Sequence, residues 1–126
     1  MEYTKTVAQW LGGFEDRGEP TPDRLSAGEG WGIFPQGQQV VARWVDILGT
    51  EHRRVRMAWD IKFATAGVSD VPERLAQWAL LAPPPLGERQ TVALREGRLL
   101  SANAAGESIY GVQLVMEFDL RGDTHD

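Results

Sequence analysis

The chain has 126 residues, 42% of them apolar and 25% charged, a composition that builds one globular core and excludes a disordered or fibrous chain. Eighteen acidic against thirteen basic residues give a net charge of −5, which argues against a general nucleic-acid binder. Cysteine is absent, so disulfide scaffolds, thiol nucleophiles and zinc–thiolate sites are excluded. No apolar run is long enough to cross a membrane and no charged-then-apolar leader opens the sequence. The expectation is therefore one soluble domain over 1–126, with its core in 3–120 and neither membrane span nor secretory signal.

Residues 2–14 read as an amphipathic helix: Tyr3, Val7, Trp10, Leu11 and Phe14 share one stripe, and Gly12-Gly13 stops it. Residues 15–30 mix Pro20, Pro22 and three glycines with five carboxylates, the composition of a flexible loop. A short strand, Trp31 to Pro35, closes at a Pro35-Gln36-Gly37 turn. A second, Gln39 to Leu48, breaks at Gly49. From Arg54 to Phe63 the alternation is strict, with Val55, Met57, Trp59, Ile61 and Phe63 on one side. With a loop around Gly49 to His52, these segments predict a long antiparallel hairpin.

Asp70 is placed to cap a second helix, with Pro72 in its first turn and Glu73 at capping-box spacing. Val71, Leu75, Trp78, Ala79 and Ala82 form its buried face, and Pro83-Pro84-Pro85 ends it. Thr91 to Arg95 reads as a strand, with turns at Gly97 and over Ser101 to Gly106. The last strand alternates Tyr110, Val112, Leu114, Met116, Phe118 and Leu120 with polar positions, and 121–126 reads as a frayed tail. The order predicts an α+β fold: an antiparallel β-sheet of about four to five strands with two helices packed on one face.

The second strand is apolar on both sides, with Val40, Ala42 and Trp44 on one and Val41, Val45 and Ile47 on the other. Two helices cover only one side of a sheet, so this strand needs a second cover. Either the 15–30 loop folds back over it, or a second copy of the chain does. Arg43, Arg53, Arg54 and Arg56 gather on the hairpin while the 15–30 loop is negative. That contrast either steers head-to-tail contacts or blunts the hairpin against edge pairing.

The search for chemistry yields no catalytic constellation, and the expectation is a non-enzyme without metal or cofactor. His52 and His125 fall in a loop and the tail, where no rigid element positions a metal or triad site. Gly28, Gly30 and Gly32 lack the Lys-Ser/Thr of a phosphate loop and lead into a strand. Glu117 and Asp119 neighbour each other on a strand without a partner that completes acid–base work, and Asp60 with Lys62 reads as a surface pair. Arg121-Gly122-Asp123 spells an adhesion tripeptide and carries no weight alone. Of the five tryptophans, Trp10, Trp59 and Trp78 belong to core stripes, while Trp31 and Trp44 fit either core packing or a stacking platform for sugars or single strands.

Three segments carry a resemblance: Gly32-Ile33-Phe34-Pro35-Gln36-Gly37 with Val40-Val41 and Val45 to Gly49; the alternating strand Arg54 to Phe63 leading to a helix; and Tyr110 to Phe118. With the N-terminal helix and the size, the chain resembles the small tail-terminator-like and minor capsid proteins of long-tailed bacteriophages and prophages. The resemblance covers residues 3–120 but not the 15–30 loop or the triple proline. It implies a virion structural protein, made in the host bacterial cytoplasm, that forms a hexameric ring at the tail end or head–tail junction. Such a ring ends tube growth, meets tail-tube and neck or head-completion proteins, and passes DNA without reading its sequence. The residues assigned to self-association are Val41, Val45 and Ile47, with Arg53, Arg54 and Arg56 at the rim. The alternatives are another neck or tail-tube component, a small ligand-binding domain with a pocket between sheet and helices, or a small enzyme.

Overall fold

The strict alternation of Arg54 to Phe63 builds the central strand of the sheet. A computed structural model describes residues 3–14, 18–22, 31–66, 70–102 and 107–121. Its elements are α1 (Tyr3–Leu11), β1 (Thr21–Pro22), β2 (Trp31–Val45), β3 (Glu51–Ala66), α2 (Val71–Leu81), β4 (Glu88–Ala102) and β5 (Glu107–Arg121). The strand order is β1-β2-β3-β5-β4. Four long strands are antiparallel, and the two-residue β1 pairs parallel with Gly32 and Ile33 at the β2 edge. The fold is α+β, a four-stranded antiparallel sheet with two helices packed against it.

Two expected turns are bulges within continuous strands. The Pro35-Gln36-Gly37 segment does not close a short strand: β2 runs through it, with the register shifting between Pro35 and Gly37 and again between Val40 and Ala42. Proline has no N–H to give the ladder and Gly37 takes φ +118°, so the same residues that favour a turn also suit a bulge. At Gly97 the strand again continues, with a shift between Arg95 and Arg98. The hairpin loop is Asp46 to Thr50, so His52 lies in β3 rather than in the loop. Arg121, expected in the tail, closes β5 opposite His52. Most of the 15–30 loop, Ser101 to Gly106 beyond Ala102, and the tail from Gly122 lie outside the described residues.

One sheet face carries the core. Val55, Met57, Trp59, Ile61 and Phe63 of β3 and Val112, Leu114, Met116 and Phe118 of β5 are buried under Tyr3, Val7, Ala8 and Leu11 of α1 and Val71, Leu75 and Ala79 of α2. Each such large side chain contributes roughly 1.5–3 kcal/mol by leaving water. Tryptophan N–H groups tie the layers together. Trp59 Nε1 donates to Thr4 Oγ1 at 3.0 Å, anchoring α1 on β3. Trp10 stacks on Trp78 at 4.6 Å and donates to the Ala82 carbonyl at 2.6 Å, joining the helices to each other. Trp31 is core: it stacks on Phe63 and donates to the Gly18 carbonyl.

Asp70 does not cap α2 with its side chain; the carboxylate pairs with Arg74, and the Asp70 carbonyl accepts the Glu73 and Arg74 N–H groups. Ala82, expected on the buried face, is an exposed C-cap. Beyond it Pro84 and Leu86 are buried. Gln90 clips this extended segment in place, accepting from Leu86 N–H and donating to the Pro84 carbonyl.

Candidate functional site

The distal half of the β2–β3 hairpin is the part of the fold that extends past the core. Val55 is fully buried, but its register partner Val40 is 37% exposed, and beyond it Val45 is 62% exposed. The turn that follows is held by one side chain. Asp46 Oδ1 accepts N–H groups from Leu48 (2.9 Å) and Thr50 (3.0 Å), and Gly49 takes the left-handed φ of +82°. Asp46 Oδ2 meets His52 Nε2 at 2.7 Å. The His52 contact, then the backbone donors, hold the Asp46 carboxyl below its ordinary range against a small opposing effect of burial. The result is a braced turn whose two central residues, Ile47 and Leu48, are 101% and 87% exposed.

The bulge at Val41 corrects the expected faces. Val40 sits opposite Val55 on the core side, but after the register shift Ala42 and Trp44 sit opposite Arg54 and His52 on the outer side. Arg43 and Val45 then return to the core side, opposite Arg53 and Glu51. Val41 is the bulge residue and Ile47 belongs to the turn, so Val41, Val45 and Ile47 are not one strand face. The described part of the 15–30 loop pairs with Gly32 and Ile33, at the other end of β2, and does not cover the hairpin.

The arginines are also divided. Arg54 and Arg56 lie on the outer face, where they bind β5. Arg54 Nη1 donates to Asp119 Oδ1 at 2.9 Å and to the Arg89 carbonyl at 3.1 Å, and Arg56 donates through Nε and Nη2 to Glu117 Oε2. Arg89, with φ +50°, reaches the second Asp119 oxygen and lays its guanidinium over Trp44, 5.7 Å from the ring centroid. Trp44 stacks in turn on His52. Asp119 is therefore a buried, doubly paired carboxylate rather than a solvated one. Burial pushes its pKa up, but hydrogen bonds and charge from Arg89 and Arg54 outweigh that and hold it below its ordinary value. Arg53 lies on the opposite side, facing Arg43. Lys62 sits over the Phe34 ring at 4.6 Å.

Arg43, Trp44, Val45, Glu51, His52 and Arg53 line a shallow, open recess. Its titratable members do not form a nucleophile–base pair, and among the described residues no group of three His, Cys, Asp or Glu could hold a metal ion. No described helix is long and apolar enough to cross a membrane. Sequence reasoning missed Leu48, Leu80 and Leu81, the last two 67% and 86% exposed at the end of α2. The signal for Leu48 was present: turn centres favour polar residues and glycine, and an Ile-Leu pair between Asp46 and Gly49 breaks that rule. Comparison with family models, with curated proteins and with solved structures gives no match.

Proposed function

We propose that the chain is a ring-forming structural subunit of the tail-terminator type. It assembles with copies of itself at the tail end or head–tail junction of a long-tailed phage, in contact with tail-tube and neck proteins. The observation that supports this reading is the braced hairpin end, which carries Val45, Ile47 and Leu48 into solvent on a turn fixed by Asp46. Exposed aliphatics on a mobile loop cost little order; held rigidly past the core, they form a preorganised contact. The sequence resemblance supplies the ring and its place in the virion.

The experiment is light scattering after size exclusion over a wide concentration range. Wild-type protein is expected to give a discrete species near six subunits. Val45→Glu is expected to give a monomer with an unchanged near-UV spectrum, because Val45 lies outside the core. A wild-type chain that stays monomeric at every concentration overturns the ring reading. A Val45→Glu chain that unfolds removes Val45 from the contact.

A further inference from the structure

Large aliphatic side chains are exposed in two places among the described residues: the hairpin end, with Val40, Val45, Ile47 and Leu48, and the last turn of α2, with Leu80 and Leu81. The two patches lie at opposite ends of the molecule. Trp78, in the same helical turn as Leu81, meets Phe14 at 5.3 Å, and Phe14 meets Trp31, the first residue of β2. Val45 is the last residue of that strand. At about 3.3 Å per residue the separation along β2 is of order 40 Å, so no single chain joins its own two patches.

The patches differ in shape and charge in a matching sense. The tip is a braced projection, and Arg43 lies two residues from Val45 on the same side of β2 and is exposed. The end of α2 is a ledge, because beyond Leu81 come only Ala82 and the proline run. Its last turn has no basic residue, leaving the negative pole of the helix uncompensated. A guanidinium beside an apolar knob fits a helix C-terminal pole beside an apolar ledge.

We infer that the hairpin tip of one copy docks on the C-terminal end of α2 in the next copy, with Ile47 and Leu48 against Leu80 and Leu81 and Arg43 toward the helix pole. The inference rests on the ring reading and adds the surface that receives the tip. Two different patches joined head to tail make a heterologous contact, the kind that closes a ring when the rotation permits. These few residues are the anchors of the contact, and flanking strand and loop surface makes up the area that a stable interface needs.

Because the chain has no cysteine, cross-linking tests the pairing directly. Leu48→Cys and Leu81→Cys proteins, mixed under mild oxidation, are expected to form a disulfide-linked dimer, while each alone does not. A chain carrying both is expected to give a ladder that stops at the ring number. A second pair of variants, Ile47→Asp with Leu48→Asp and Leu80→Asp with Leu81→Asp, is expected to weaken association about 100-fold each. Mixed, these two give a single heterodimer, because each retains the half the other has lost. Cross-linking of Leu48→Cys to itself, or no cross-link in the mixture while wild type remains oligomeric, overturns the inference and leaves the ring reading standing. A wild-type chain that is monomeric throughout overturns both.

Discussion

Gly87 offers a sharp test of how the chain passes from α2 to the sheet. A Cβ at this position would lie 2.6 Å from Phe118 Cδ2, 3.2 Å from Phe118 Cβ and 3.0 Å from the Asp119 carbonyl oxygen. Carbon atoms in ordinary contact sit about 3.5–4.0 Å apart, so something must move by close to 1 Å. Neither neighbour moves easily. Phe118 is fully buried against the Tyr3 ring, and Asp119 lies in β5, between β3 and β4. Gly87 has no positive φ, so Gly87→Ala carries no backbone strain and gains about 0.4–1 kcal/mol from a stiffer unfolded chain. Overpacking costs about 1–3 kcal/mol and outweighs it. The expected net loss is about 1–2 kcal/mol, read as a urea midpoint lowered by about 0.5–1 M with an unchanged slope. In a Phe118→Leu background the loss should shrink, because the atom in the way is gone. A Gly87→Ala protein as stable as wild type, or a loss indifferent to Phe118→Leu, would refute this account of the packing.

Other expectations follow from the same contacts. The Asp119 pKa is lower in the folded than in the unfolded chain, so its stabilisation is complete above the usual carboxylate range and disappears as pH falls through the folded value. Asp119→Asn should therefore be less stable at pH 7 and flatten the acid side of the stability–pH curve, measured by urea midpoints from pH 7 to pH 3. Trp10→Ala removes the Trp78 stack and the bond to the Ala82 carbonyl, and should cost about 2 kcal/mol while changing the near-UV tryptophan signal. Thr4→Val leaves the Trp59 N–H without its acceptor and should cost about 1–3 kcal/mol, whereas Thr4→Ser should restore most of it in the same denaturation assay. Gly49→Ala forces a Cβ into a left-handed turn position and should cost about 1 kcal/mol, with weakened ring assembly as its second readout.

Much of this architecture is written in local pattern. Strict alternation in Arg54 to Phe63 and Tyr110 to Leu120 marks β3 and β5, and the 3.6-residue spacing of Tyr3, Val7 and Leu11 marks α1, because these periods state which face leaves water. The core was therefore legible from sequence, and so were the two helices and the single buried sheet face. The bulges were not. Pro35-Gln36-Gly37 and Gly97 carry the chemistry of a turn and of a bulge alike, and only pairing along the neighbouring strand selects between them.

That ambiguity propagated to the candidate surface. One extra residue at Val41 inverts every side chain after it, so faces drawn by counting along β2 were wrong from Ala42 onward. Asp119 looked like one of two solvated carboxylates, because its partners Arg54 and Arg89 are 65 and 30 positions away in the chain and meet it only across the sheet. The hydrophobic periods thus determined what is buried, since burial depends on each residue's own neighbours along one element. Strand pairing determined which exposed groups stand together, because register is a relation between distant segments. The separation of the hairpin tip from the end of α2 belongs wholly to that second kind.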